Sequence, residues 1–312
     1  MSSTDIPPRA THPFQHDFVR WRAEKLSALD ALTEPPLLRV SSDESVVHWG
    51  PKAAQSLFAH GFVRYSSAWA QLAEGRGDNV EEERAQSDWL QEFCLAFGLR
   101  TQERSLFAPK TGFTRLTVGK QGSSGYSPFS NRPLGWHTDG YTSTSPPVRS
   151  FVLHCISPAP VGGETYFLDA ELVCIHLFDH YRSAFDVLTR PIMQIPANRD
   201  TKAGERAAVT ACVIDLKAGL PPLVRYTNRR KHVTWLGGSQ TEEAVDALRL
   251  SIDELKAHWL SWRLDAGEGV VSANALHKRT PYDDAPGTTR LLLRGRFAER
   301  PRAPTSIAAN VR

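Results

Sequence analysis

Long apolar runs are missing from this chain. No stretch reaches the roughly 18 consecutive apolar residues of a membrane-spanning helix, so no membrane partner is expected. The amino-terminal MSSTDIPPRATHPF has neither the basic start nor the apolar stretch of a secretory signal, which points to a cytoplasmic protein. Cysteine is scarce as well. Cys94, Cys155, Cys174 and Cys212 lie far apart, form no C-x-x-C pair and sit among apolar neighbours, which argues against a thiolate metal site and for reduced, buried thiols. Neither sign of charge is in marked excess, since 37 Lys and Arg face 34 Asp and Glu for a net charge of +3. With no long basic run, nucleic acid is not an expected partner. The one basic cluster, Arg229, Arg230, Lys231 and His232 beside Trp235, fits a solvated turn better than a phosphate patch. What is present, 312 residues of which 41% are apolar, suffices for one large domain with a sizeable core. The oligomeric state stays open, a homo-oligomer among the choices.

Along the chain the character changes once. Residues 1–105 read as a mostly helical flank of that domain: Trp89, Phe93 and Phe97 recur every four residues behind Glu81, Glu82, Glu83 and Arg84, an amphipathic helix ending near Gly98. From about residue 113, short segments rich in Thr, Val, Tyr and Phe alternate with Gly and Pro, the pattern of antiparallel sheets. The core is placed at 106–300, with strands at Arg149–Cys155, Thr165–Leu168, Leu223–Thr227, Gly269–Ala273 and Thr289–Phe297. Ser239 and Glu242 form a capping box before Val245, Leu248, Ile252, Leu255 and Trp259, which predicts a helix packed on the sheet. Gln121–Pro133 and Asn198–Arg206 are predicted loops, and residues 301–312 a loose tail.

Chemistry enters at Leu134-Gly-Trp-His137-Thr-Asp139-Gly140. On an extended strand an imidazole and a carboxylate two residues apart point the same way, so one segment can offer two ligands to a metal while a third arrives from another strand. His277 is the candidate third. Two imidazoles and one carboxylate leave three neighbouring positions open, room for a chelating 2-oxo acid and dioxygen on iron(II). With eleven histidines an H-x-D arises by chance in about half of such chains, so the motif carries little by itself. Thirteen residues after His277, Thr289-Arg290-Leu-Leu-Leu-Arg294-Gly-Arg296-Phe297 alternates so that Arg290, Arg294 and Arg296 share one face and Leu291, Leu293 and Phe297 the other. Either the arginines meet solvent, or they turn into a cavity where a guanidinium grips a carboxylate with two parallel hydrogen bonds.

Taken in order, His137-Thr-Asp139, Gly162-Gly-Glu-Thr165, Leu276-His277-Lys-Arg279 and Arg290-Leu-Leu-Leu-Arg294 resemble the taurine dioxygenase and clavaminate synthase superfamily of iron(II)/2-oxoglutarate-dependent dioxygenases. The likeness covers about 160 residues, from His137 to Arg296, and little of the first hundred. It implies a mainly β fold, a double-stranded β-helix (jelly roll) with helical insertions and flanks. It implies iron(II) on His137, Asp139 and His277, with 2-oxoglutarate and O2 as co-substrates, and the distal carboxylate of 2-oxoglutarate on Thr165 and Arg290. Arg294 corresponds to a position often used for an anionic group of the substrate. Arg279 fills a common position beside the distal histidine, where an ion pair is expected. Tyr141, Arg225 and Tyr226 are further candidates for the substrate wall. The expected reaction is oxidation, chiefly hydroxylation, of a small organic anion with release of succinate and CO2. His137-Thr-Asp-Gly-Tyr141 lacks the longer acidic or aromatic continuations of particular subgroups, so no individual substrate is indicated. A zinc hydrolase with the same ligands, or a non-catalytic binding or sensing barrel, are the competing readings.

Overall fold

The structure, a computed structural model, describes residues 14–40, 46–69, 80–103, 112–118, 129–197, 207–217, 220–229, 232–284 and 289–304. Much of the predicted loop Gln121–Pro133, all of Asn198–Arg206, and Arg230 and Lys231 of the basic cluster lie outside them. In chain order the elements are α1 (Phe14–Ala31), β1 (Leu37–Val40), α2 (Val46–His60), β2 (Phe62–Ser67), α3 (Val80–Ala96), β3 (Thr114–Leu116), β4 (Leu134–His137), β5 (Ser150–Ser157), β6 (Val161–Gly162), β7 (Thr165–Leu168), α4 (Ala170–His180) and α5 (Arg182–Leu188). There follow β8 (Met193–Ile195), β9 (Val209–Ala211), β10 (Ile214–Asp215), β11 (Leu223–Val224), β12 (Thr234–Trp235), α6 (Ser239–Glu254), a 3-10 turn (Leu255–His258), β13 (Leu260–Trp262), β14 (Glu268–Ser272), β15 (Leu276–Arg279), β16 (Tyr282–Asp283) and β17 (Leu291–Phe297). No described helix is long and apolar enough to cross a membrane.

Two sheets carry the architecture: a six-stranded one in the order β1-β2-β14-β5-β17-β3 and a four-stranded one in the order β13-β7-β15-β4. Between them Phe62, Phe151, Leu153, Cys155, Val270 and Leu292 of the larger sheet meet Phe167 of the smaller. The opposite face of the larger sheet, with Val63, Tyr65, Val152, Val271, Leu293 and Phe297, packs against Trp49, Leu57, Leu90, Phe93 and Phe97 of the α2 and α3 region. Burial on both faces explains why β5 reads SFVLHCIS, with hydrophobic side chains at alternate and intervening positions alike. Helices α4, α5 and α6 cover the outer side of the smaller sheet, where Trp136, Leu168 and Leu276 join their core.

The first hundred residues are more than a helical flank. β2 pairs along its length with β14, from Ser66 opposite Glu268 to Phe62 opposite Ser272, so the amino-terminal region supplies two strands of the main sheet. Helix α3 ends as its sequence predicts: Gly98, at φ 74°, lets its own N–H reach Leu95 O at 2.9 Å and the N–H of Leu99 reach Cys94 O at 3.0 Å. Helix α6 does not begin with the predicted capping box. Gly238 precedes it at φ 66°, its carbonyl accepts from Thr241 and Glu242, and the Ser239 side chain makes no cap. The start of the predicted tail is also docked, because Pro301 and Pro304 are buried and the Arg302 N–H donates to Phe97 O at 2.9 Å.

A buried ionic knot ties α1 to this framework. Lys25, 1% exposed, places Nζ 2.5 Å from Asp169 Oδ2, 3.2 Å from Glu171 Oε2 and 2.5 Å from Phe58 O, while Arg300 pairs with the other oxygen of Glu171. Asp169 also caps α4, accepting from the Glu171 N–H.

Candidate active site

β4 and β15 are neighbours in the smaller sheet, and their register sets His137 directly opposite His277. Opposed residues of an antiparallel pair share a face, so both imidazoles enter the space between the sheets, their ring centroids 4.1 Å apart. Asp139 follows two residues on. One ligand atom from each of the three side chains can be chosen so that all lie within 4.8 Å of one another. His137 Nδ1–H donates to Gly135 O at 2.9 Å and His277 Nδ1–H to Ala275 O at 3.1 Å, which fixes both tautomers and leaves each Nε2 as a lone-pair donor. Burial, with the neighbouring His277 adding to it, lowers the pKa of His137 to about 3, and burial likewise lowers that of His277. At Asp139 burial works the other way, but Arg294, Arg296 and the two imidazoles outweigh it and hold the carboxyl below its usual range. Two neutral imidazoles and a carboxylate therefore stand ready to bind a cation with no proton to lose. Asp139 Oδ2 is buried without a hydrogen-bond partner, as a carboxylate awaiting a cation would be.

A second cluster lies along the same inner face. β7 pairs with β15 so that Thr165 opposes Arg279, two residues or about 7 Å from the pair Phe167 and His277. Arg290 sits just before β17, 5% exposed, its guanidinium 4.9 Å from the centre of the Tyr282 ring, with Nη1 buried and unpartnered. Gly162 and Gly163 admit this approach: at φ 73° and 80° both have left-handed backbones, and a Cβ on Gly162 would lie 2.3 Å from Pro281 O. Arg279 also stacks on Tyr282, at 4.8 Å, and donates to Ser130 O and Arg132 O at 2.6 Å each. It forms no ion pair among the described residues, contrary to expectation, and burial together with Arg290 lowers its pKa to about 10. Among the described residues no carboxylate pairs with the side chain of either arginine, and Arg279 Nε and Arg290 Nη1 are buried without a hydrogen-bond partner.

Residues 84–296 match the family described as taurine catabolism dioxygenase TauD, TfdA family. The chain belongs to the TauD/TfdA family. Two uridine-5'-phosphate dioxygenases resemble this family member in sequence. That of a Streptomyces sp is 30% identical over 200 residues, 62% of this chain and 72% of the relative. That of an Amycolatopsis sp is 29% identical over 176 residues, 54% of this chain, and the match spans only 62% of the relative's length. Among solved structures, asparagine oxygenase in complex with Fe(II), hydroxyasparagine and succinate shares the fold at a TM-score of 0.57 and 16% identity, covering 89% of this chain and 91% of that one. The non-heme iron oxygenase OrfP in complex with Fe and alpha-ketoglutaric acid does so at 0.57 and 16%, covering 84% and 94%.

The arginines of the strand after His277 do not face solvent: Arg290 and Arg294 are buried. The strand's alternation leaves Leu292, Arg294 and Arg296 on the inner face and Leu293 and Phe297 on the outer, both faces being buried, while the register shift beside Leu291 is taken up by β5 at Ile156. Arg294, expected at a substrate anion, places Nη1 3.1 Å from Asp139 Oδ1, and its Nε is buried and unpartnered. Arg296 pairs with Glu103 at 2.6 Å. Tyr226 departs from expectation, because its side chain lies in the core with the helices and hydrogen-bonds Arg249 of α6. Tyr141, half-buried, likewise packs against that helical core. Arg225 is buried beside Asp215.

Two residues that support the cluster escape the sequence motifs. Asn274, buried at φ 60°, accepts from the Asp139 N–H at 2.9 Å and donates Nδ2–H to Asp139 O and Val148 O at 3.0 Å each. An Asn three residues before the distal histidine, in a break between strands, is the signal that could have found it. Behind His277, on the outer face, Lys278 Nζ sits 3.9, 4.9 and 4.8 Å from the ring centres of Trp259, Trp136 and Tyr166, pinning β15 under the helical layer.

Proposed function

We propose that this TauD/TfdA-family chain is an iron(II)- and 2-oxoglutarate-dependent dioxygenase whose substrate is a small organic phosphate, oxidised chiefly by hydroxylation. The observation that carries the reading is the placement on one inner face of two buried groups with unpartnered polar atoms: the His137–Asp139–His277 cluster, where Asp139 Oδ2 accepts no hydrogen bond, and Arg290, whose Nη1 finds no acceptor. The donor set suits iron(II), and a guanidinium beside a threonine hydroxyl suits the far carboxylate of 2-oxoglutarate. Bound there, iron(II) with 2-oxoglutarate and O2 supplies oxidative decarboxylation to succinate and CO2 coupled to oxidation of a C–H bond. In this reading Arg290 and Thr165 anchor the co-substrate, Asn274 fixes the peptide that carries Asp139, and Phe151 and Phe167, with ring centres 4.6 and 6.3 Å from that of His277, keep water from the reacting carbon. The phosphate rests on the two uridine-5'-phosphate dioxygenases. The facing sheets fit a double-stranded β-helix that spans residues 106–300, with β1 and β2 added to one edge. A zinc hydrolase would leave Arg290 and Thr165 without a role.

The deciding experiment is succinate formation by the iron-loaded protein with 2-oxoglutarate and oxygen; no succinate above a metal-free control would sink the reading. Two further results are expected. Arg290→Ala raises the apparent KM for 2-oxoglutarate by a factor corresponding to about 2–5 kcal/mol, with Thr165→Val moving the same way by less. Unchanged co-substrate binding by Arg290→Ala would place the carboxylate elsewhere. Asn274→Gly keeps the left-handed backbone but loses all three side-chain hydrogen bonds, and weakens iron(II) binding roughly 10- to 100-fold by titration. Wild-type iron affinity in this variant would mean that strand pairing alone places Asp139.

A further inference from the structure

One buried charge in this region takes no part in the reading above. Arg225, its side chain 6% exposed, gives Nη2 to Asp215 Oδ2 at 3.1 Å and Nη1 to the Cys212 sulfur at 3.9 Å, but its Nε–H is buried with no partner. Its position follows from the backbone. Thr227 bridges His137, the Thr138 N–H donates to Tyr226 O at 2.9 Å, and the Tyr226 N–H donates to Thr138 Oγ1 at 3.0 Å. A residue two before Thr227 leaves an extended segment on the side that Thr227 shares with His137. Tyr226, between them, points the other way into the helical core. The register that sets Thr227 against His137 therefore runs Arg225 toward the position of Asp139 from the β11 side, while Arg294 reaches Asp139 from β17. Each has a buried, unpartnered Nε. Arg149 lies within electrostatic reach of Arg225 and Asp215, so one carboxylate here faces two guanidiniums.

A buried N–H without an acceptor is costly, and a bound anion recovers that cost. A planar carboxylate engages one guanidinium edge, whereas a tetrahedral phosphate presents oxygens to donors arriving from different strands. We propose that Arg225 is a second cationic arm of the substrate pocket, which with Arg294 grips the phosphate group of the substrate and sets the preference for a phosphorylated compound over its neutral parent. Asp215 holds the arm in place and competes for it. The assignment rests on the phosphate substrate proposed above.

The test is equilibrium binding to the protein loaded with iron(II) and 2-oxoglutarate under anaerobic conditions, with uridine 5'-phosphate, uridine and inorganic phosphate as probes. The wild type should bind uridine 5'-phosphate more tightly than uridine. Arg225→Met should weaken uridine 5'-phosphate roughly tenfold or more, the size of one charge-assisted hydrogen bond, while shifting uridine far less; Arg225→Lys should fall between. Asp215→Asn, which frees the guanidinium, should tighten binding of both uridine 5'-phosphate and inorganic phosphate, and it decides the matter if Arg225→Met does not fold. Undiminished uridine 5'-phosphate binding by a folded Arg225→Met, equal losses for uridine 5'-phosphate and uridine, or no gain in Asp215→Asn would overturn the role of Arg225 alone. A wild type indifferent to phosphate would overturn the phosphate substrate and this proposal together, whereas the absence of succinate formation would strike the dioxygenase reading itself.

Discussion

His277→Ala is expected to give a folded protein that retains no iron(II) after desalting and forms succinate at least about a hundredfold more slowly than the wild type, beyond what loss of a mere supporting partner costs. The expectation comes from the register. His137 ends β4 and Asp139 lies two residues beyond it in the turn, and among the described residues the opposed His277 closes the triangle within 4.8 Å. Asp139 cannot compensate, since Oδ1 is already engaged by Arg294. The fold should survive because the histidine is neutral when buried and the pairing of β15 with β4 and β7 is made by backbone. Iron content, succinate release and a thermal melt on one sample decide it. More than a few per cent of wild-type turnover with iron still bound would place the third ligand elsewhere.

Lys25→Met is expected to cost about 3–5 kcal/mol of stability, which for a domain of this size lowers the melting temperature by roughly 10 °C. The ammonium is 1% exposed and stands between two carboxylates that are themselves only 7% and 5% exposed. Removing it leaves Asp169 and Glu171 buried against each other with Arg300 as the remaining cation, and it strips the Phe58 carbonyl of its donor. Coupling the change to Asp169→Asn and Glu171→Gln should restore much of the loss, because the penalty lies in the uncompensated charge more than in the missing attraction. A loss under about 1 kcal/mol by denaturant titration would mean that water reaches the knot.

The candidate site was legible in the sequence where it depends on local geometry. An H-x-D on a strand places its two side chains on one face, and the G-G-[DE]-T segment keeps glycines where Pro281 and Arg290 crowd the backbone. Partners brought in by distant segments were not legible. Arg294 meets Asp139 across 155 residues of chain, so its own strand gave no sign of an acid, and the same holds for the clasp of Asn274 on Asp139. Tyr226 was misplaced because a segment pairing with β4 sends alternate residues to opposite layers, and two adjacent candidates cannot both line one pocket. β1 and β2 lay unseen because short strands between long helices carry little periodic signal of their own.

The pairing of β2 with β14 also bears on where this protein may be cut. Likeness to the family begins at residue 84, but a version trimmed to that point would lose β2 and leave the backbone of Glu268–Ser272 as a bare rim. Val270 and Val271, now fully buried, would stand on that rim beside unpaired N–H and C=O groups, an invitation to add a strand from another molecule. The portable unit, for fusion, grafting or display, therefore reaches back at least to Leu37, and a fragment chosen by family likeness alone would stick to its own copies.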